Sequence, residues 1–260
     1  MAIGTAKPTV EEMQGVTHYF IDNISIHQPY NIGQFEKDAI AKIEELFETL
    51  DVLILVGGSG LYINAILNGI DEFEEIPLDI RTELIKTFEE KGLSYLQNEL
   101  KKHDEVYYHQ VDLNNSQRIM RALEVCYHTQ KPYSSFKTKI KKARPFNVLP
   151  ILINMEREQL YARINKRVDV MMELGLLEEV KSLQPFKDIN ALNTVGYKEL
   201  FDYLDNKTTL QQAIDLIKQN SRRYAKRQLT WFNHQGEFET FNPSDIEKLK
   251  AYIDIVVQYS

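Results

Sequence analysis

The sequence has 260 residues, with 31 Lys and Arg against 38 Asp and Glu, a formal net charge of −7, and 43% hydrophobic and 27% charged residues. That balance is typical of a globular chain and excludes general adhesion to nucleic acid, so any such partner must be held by local basic patches. A lone cysteine, Cys126, excludes an intrachain disulfide and the usual cysteine-based zinc site; no apolar stretch reaches membrane-spanning length and no signal peptide opens the chain, which makes the cytoplasm the expected location.

In chain order, His18-Tyr19-Phe20-Ile21-Asp22 reads as a short strand, and Gly33 to Leu50 has helical spacing through Phe35, Ala39, Ile43 and Leu46. Val52-Leu53-Ile54-Leu55-Val56 is a continuous apolar run, which predicts a strand buried on both faces of a parallel sheet. It breaks into Gly57-Gly58-Ser59-Gly60 and then into helical spacing from Leu61 to Leu67, which places the turn at the carboxyl edge of a sheet, where ligands bind. Leu61 and Tyr62 stand where a Walker A loop has Lys and Ser or Thr, so this turn is not a phosphate loop. A tight turn with no ligand is the plainer alternative.

From about Asp71 to Thr138 only helices are predicted, among them Leu78 to Lys91, Leu93 to Lys101 and Ser116 to Thr129. A wholly helical block inside an alternating pattern reads as an insertion. Asn147 to Asn154 restores a buried strand, in which Pro150 is a misfit tolerable at an edge or bulge. Arg157 towards Leu183 is helical with a break near Gly175, and Thr208 to Trp231 is helical again. Phe238 to Phe241 predicts a final strand, and Ser244 opens a last helix through a Ser-x-x-Glu capping box. So few short strands make a thin sheet for this length.

Several clusters could carry chemistry. One basic segment holds Lys137, Lys139, Lys141, Lys142 and Arg144. Gln117 and Arg121 share a helix face with Arg118 beside them, a fork suited to phosphate or base edges; the plainer reading is a solvated face with Glu124 below Arg121. Arg163 and Arg167 lie one helical turn apart and can clamp a diphosphate, or else pair with Glu156, Glu158 or Asp169. Between Ser221 and Trp231, the pairs 222/226 and 223/227 make two basic rows interleaved with Tyr224 and Trp231, the combination a splayed RNA loop requires; a solvated helix with Trp231 in the core is the alternative. Asn193-Thr194-Val195-Gly196-Tyr197-Lys198 is a polar loop entering a helix. The histidines and the cysteine form no metal-ligand spacing.

Six of these segments, in order along the chain, resemble the tRNA dimethylallyltransferases, also called tRNA isopentenyltransferases. They are Ile3 to Pro8, His18 to Asp22, Val56 to Tyr62, Gln117-Arg118 with Arg121 to Val125, Val195-Gly196-Tyr197, and Ala225 to Gln228 leading to Trp231. The resemblance implies Mg²⁺-assisted transfer of a dimethylallyl group from its diphosphate to the N6 amine of an adenosine beside the tRNA anticodon, the base being extruded from its stack. It implies a nucleotide-binding (ATP-type) P-loop α/β fold: a parallel-sheet core from 1–70 and 139–260, with an all-helical insertion at 71–138 that grips the anticodon stem. A monomer acting on tRNA and dimethylallyl diphosphate, away from any membrane, is implied as well.

Carried over by position, Ser59 and Arg81 match tRNA-contacting sites. So do Gln117, Arg118, Ile119, Met120 and Arg121; Asn193, Thr194, Val195, Gly196, Tyr197 and Lys198; and Lys226, Arg227, Gln228, Leu229, Thr230, Trp231, Phe232 and Asn233. Arg118 and Arg167 match catalytic arginines, and Arg163 with Arg167 the diphosphate site. The family's phosphate loop, Gly-x-Thr-x-x-Gly-Lys-Thr, and its Asp-Ser-x-Gln, whose Asp is the general base, do not occur in these 260 residues. The segment that would carry them amounts to roughly 40 residues. The expectations are therefore no transferase activity from this polypeptide, and a gap in its sheet where a first strand belongs. A non-catalytic anticodon-loop binding module is the alternative function. A P-loop small-molecule kinase is a further one, which the Gln117 to Arg121 helix and the 221–231 segment argue against.

Overall fold

A computed structural model of the chain describes residues 1–71, 76–137, 141–234 and 238–258. α1 is the single turn Val10–Met13, closed by a capping box of Thr9 and Glu12. α2 (Ile32–Phe47) and α3 (Gly60–Asn68) follow the expected spacings. α4 (Leu78–His103) contains Gly92 at φ 74° and ψ −179°, so the two helices expected on either side of it meet across a kink that glycine tolerates. α5 (Glu105–Tyr108) and α6 (Ser116–Thr129) come next. After β1 (Ile151–Ile153), α7 (Arg157–Glu173) and α8 (Leu176–Leu183) are separated by Gly175 in the left-handed region, at φ 98°. α9 (Tyr197–Leu204), α10 (Leu210–Phe232), β2 (Glu239–Phe241) and α11 (Ile246–Gln258) complete the order.

Among the described residues the sheet consists of β1 and β2, paired in parallel with Ile151 opposite Glu239 and Ile153 opposite Phe241. Pro150 lies just before β1; its carbonyl accepts the Glu239 N–H at 3.2 Å and its missing N–H interrupts no ladder bond. Two predicted strands are corrected. Residues 52–56 are not a strand, and Ile54 and Val56 are 83% and 86% exposed. An apolar run becomes a strand only where a neighbour takes its backbone N–H and C=O groups, and no described residue does so beside 52–56. The run is therefore largely exposed, with Leu53 half-buried. His18 to Asp22 is not a strand either: Phe20 and Asp22 have φ of 63° and 54°, incompatible with extended backbone, and Asp22 forms an ion pair with Lys7. Ser244 does not cap α11; its N–H and hydroxyl both donate to Asn242 Oδ1.

The chain divides into two units. The first comprises Met1–Asn31, Leu55–Gly60 and Asn147–Ser260, the second Ile32–Ile54 and Leu61–Phe146. The second unit has a core of Leu84, Leu96 and Leu100 from α4 against Ile119, Met120 and Leu123 from α6. Its buried Glu36 accepts from Arg144 Nη2 at 2.7 Å, Lys142 Nζ at 3.2 Å and the Ile70 N–H at 3.2 Å. Arg144 also donates to the Ala65 and Ile66 carbonyls, closing the last turn of α3. The basic segment 137–144 thus turns two of its cations inward; Lys139 lies outside the described residues.

The core of the first unit joins Val168 of α7, Leu176 and Val180 of α8, Tyr197, Leu200 and Phe201 of α9, and Ala213 and Ile217 of α10. Met1 and Ile3 pack against it, held there by Glu179 of α8. The Glu179 carboxylate accepts the N–H groups of Ala2 (2.6 Å), Ile3 (3.0 Å) and Gly4 (3.1 Å) and the Tyr197 hydroxyl (2.5 Å). Burial alone would disfavour its charge, but the Tyr197 hydroxyl and the three N–H donors outweigh burial and bring its pKa down to about 2. Burial and the same carboxylate push the Tyr197 hydroxyl up.

Glu179→Gln is expected to lower stability by about 2 kcal/mol at neutral pH, as charge-assisted hydrogen bonds become neutral ones. The folded carboxylate titrates at about 2 and an ordinary glutamate at 4.5, so the wild-type advantage is full above that range and disappears as pH falls from 4.5 through 2. Urea denaturation of both proteins along that pH range measures it.

Candidate functional site

Arg163 and Arg167 lie one turn apart on α7, both exposed, with Lys166 exposed between them. Of the acids that could have neutralised them, Asp169 is taken by Lys218 at 2.6 Å. Among the described residues no ion pair is formed by Arg163, Lys166 or Arg167. The adjoining helix α10 is fastened to α7 by Arg222, whose Nη1 donates to Asn165 Oδ1 at 2.5 Å. Its neighbour Arg223 donates to Asn220 at 3.3 Å, and Arg227 lies over the Tyr224 ring at 5.7 Å. Lys226 and Lys198 are exposed and, among the described residues, unpaired. Among the described residues no carboxylate neutralises either basic row of α10. Like charges held close without counterions raise the free energy of the bare protein and favour an arriving polyanion.

The loop before α9 divides by exposure. Asn193, Thr194 and Lys198 face solvent, Val195 is half-buried, and Gly196 and Tyr197 are buried. Gly196, at φ 99°, donates its N–H to Glu199 Oε2 at 2.8 Å, and Asn220 of α10 donates to the other oxygen at 2.7 Å. The end of α10 divides in the same way. Lys226, Arg227, Thr230 and Asn233 are exposed, Gln228, Leu229 and Trp231 half-buried, and Phe232 buried beneath the Trp231 edge at 5.0 Å. Arg223, Lys226, Arg227, Thr230, Trp231 and His234 line an open cavity of about 670 Å³. Ser59 is half-buried in the turn between Gly58 and Gly60.

In the second unit the fork on α6 is reorganised by one acid. Glu124, 5% exposed, accepts from Arg81 Nη1 at 2.5 Å and from Arg121 Nη1 at 3.1 Å. Arg81 also donates to Gln117. Ile119 and Met120 are buried in the core. Among the described residues Arg118 alone of these three arginines makes no ion pair, and it is exposed. Sequence spacing points to Glu124 as a partner of Arg121, but not to Arg81, which is brought in from α4. Lys166 is also missed; its place inside the Arg163–Arg167 turn was the available signal. Among the described residues no three of His, Cys, Asp and Glu gather into a metal-ligand set, and no helix is long and apolar enough to cross a membrane.

The IPP transferase family model matches residues 1–235. The tRNA dimethylallyltransferase of Flavobacterium johnsoniae is 50% identical over 97% of this chain and 84% of its own length. That of Cytophaga hutchinsonii is 44% identical over 99% and 85%. Among solved structures, a tRNA isopentenylpyrophosphate transferase of Bacillus halodurans superimposes with a TM-score of 0.69 at 36% identity, covering 99% of this chain and 84% of that one. A eukaryotic dimethylallyltransferase acting on tRNA gives a TM-score of 0.74 at 25% identity, over 94% and 64%. The mostly helical chain with its small parallel sheet thus has the α/β fold of these transferases.

Glu124→Gln is expected to lower stability by about 1–3 kcal/mol, because a buried acceptor for two guanidinium groups loses its charge. Arg118→Ala is expected to stay within about 0.5 kcal/mol of the parent, as for surface positions without partners. Urea unfolding of the two variants makes the comparison.

Proposed function

Since the chain belongs to the IPP transferase family, we propose that it serves transfer of a dimethylallyl group from dimethylallyl diphosphate to the N6 amine of an adenosine next to a tRNA anticodon. The observation that carries this reading is the set of exposed cations on α7, α9 and α10 that no carboxylate among the described residues neutralises, on a chain whose net charge is −7. In the reaction the amine nitrogen bonds to the terminal carbon of the dimethylallyl group. The bond from that carbon to the diphosphate oxygen breaks, its electron pair leaves on the diphosphate, and the amine loses a proton. Arg163 and Arg167 receive the departing diphosphate, and Arg167 stabilises the charge that builds on it; Arg118 is the second arginine that supports catalysis in this reading; guanidinium suits these roles because it stays protonated.

The tRNA contacts are Ser59, Arg81, Gln117 to Arg121, Asn193 to Lys198 and Lys226 to Asn233, through those members of each segment that face solvent. The insertion at 71–138 grips the anticodon stem. The protein works as a monomer in the cytoplasm. Among the described residues no three of His, Cys, Asp and Glu gather, so a Mg²⁺ here would be held chiefly by the diphosphate oxygens and water, and no step is assigned to the ion. No group here is assigned as the base for the amine proton, because neither Asp-Ser-x-Gln nor the Lys-Thr phosphate loop occurs in the 260 residues.

Binding is checked through its salt dependence. Replacing Lys226 and Arg227 together by Ala is expected to weaken tRNA binding and to flatten the slope of log affinity against log salt by about 1.4, or about 0.7 per cation on a single strand. Replacing Lys248 and Lys250 of α11 removes the same charge, but these pair with Asp245 just before the helix and with Glu247 in its first turn, so the slope should hold. Equal losses in both double variants would mean attraction without a site.

A further inference from the structure

The turn 57–60 stays with the first unit although, among the described residues, the run preceding it pairs with no strand. Helix α10 supplies two specific contacts. Gln228 Nε2 donates to the Gly58 carbonyl at 2.6 Å. A Cβ at Gly58 would collide with that same amide, and one at Gly60 would fall on the ring-fusion carbons of Trp231, so the Gly60 backbone lies against the indole face. Gly57 meets nothing within 4 Å. Close approach therefore requires glycine at 58 and 60, not at 57. Gln228 and Trp231 are three residues apart and share one face of α10, whereas Lys226, Arg227 and Thr230 are exposed.

We infer that Gln228 and Trp231 are positioning residues that dock this turn and act on the nucleic acid through Ser59, with the exposed cations of α10 left to meet phosphate. The inference rests on the proposed reading only in taking Ser59 as an RNA contact. A turn with glycine at three of its four positions is among the most mobile of backbones when free. Fixing Gly58 on one side of Ser59 and Gly60 on the other orders the hydroxyl before any ligand arrives, which removes an ordering cost from binding.

Trp231 is the only tryptophan of the chain, so its emission reads the dock without any RNA. Gln228→Ala and Gly60→Ala are expected to shift that emission to the red and to increase its quenching by acrylamide, with helical circular dichroism unchanged. Alanine favours the start of a helix over glycine, so loss at Gly60 reports the overlap with the indole rather than a weakened α3. In tRNA binding, Ser59→Ala and Gln228→Ala are each expected to weaken affinity about fivefold, the worth of one hydrogen bond, and the double variant to be no weaker than Gln228→Ala alone. Losses that multiply in the double variant would make Gln228 a direct RNA contact and overturn the inference. So would unchanged emission, or a lowered melting temperature with unaltered affinity. If the parent protein binds no tRNA, the proposed function fails and the emission measurements still decide the dock.

Discussion

The Glu179 carboxylate stands where the first residues of the chain, α8 and α9 meet, and four donors converge on it. A carboxylate withdrawn from water is stable as an anion only if hydrogen bonds replace its hydration. Here they come from three consecutive backbone N–H groups and one phenol, so the charge is held and the terminal segment is held with it. Glu199 repeats the arrangement one element later, joining Gly196 to Asn220 of α10. Between them these two acids set α8, α9 and α10 against one another. Both are turned towards neutral donors, and Asp169 is occupied by Lys218, so the cations on the outer faces of α7 and α10 keep their full field.

How much of this is legible in the amino-acid order depends on how far apart the interacting residues are. Helices α2, α4, α6, α7 and α10 follow from apolar spacing, and Gly92 and Gly175 mark their interruptions, because both signals are local. Residues 52–56 have the composition of a buried strand and are not one, since pairing depends on a neighbour that composition cannot supply. The link from Arg81 to Glu124 spans 43 positions and that from Glu179 to Ala2 spans 177, and neither leaves a periodic trace. The Arg163–Arg167 pair is visible as a spacing. That Asp169 turns to Lys218 instead is visible only in three dimensions.

The two units treat arginine in different ways. In the second, Arg81 and Arg121 are bound to a buried acid, which orients them and offsets part of their charge, while Arg118 keeps its own. In the first, among the described residues, Arg222 and Arg223 meet neutral oxygens and Arg227 an aromatic ring, contacts that orient a guanidinium without cancelling it. Orientation without neutralisation suits a group that must answer negative charge appearing elsewhere, since nothing has to be displaced first.

The exposed run at 52–56 has a consequence for the protein as a material. Five apolar residues without charge, rich in β-branched side chains, are a segment that adds readily to its like in a neighbouring molecule. Asp51 on one side and the glycines on the other act as gatekeepers, and the net negative charge keeps separate molecules apart. Salt weakens that repulsion while leaving apolar attraction in place. Colloidal stability and polyanion binding in this chain therefore fall together as ionic strength rises, the first through loss of a repulsion and the second through loss of an attraction.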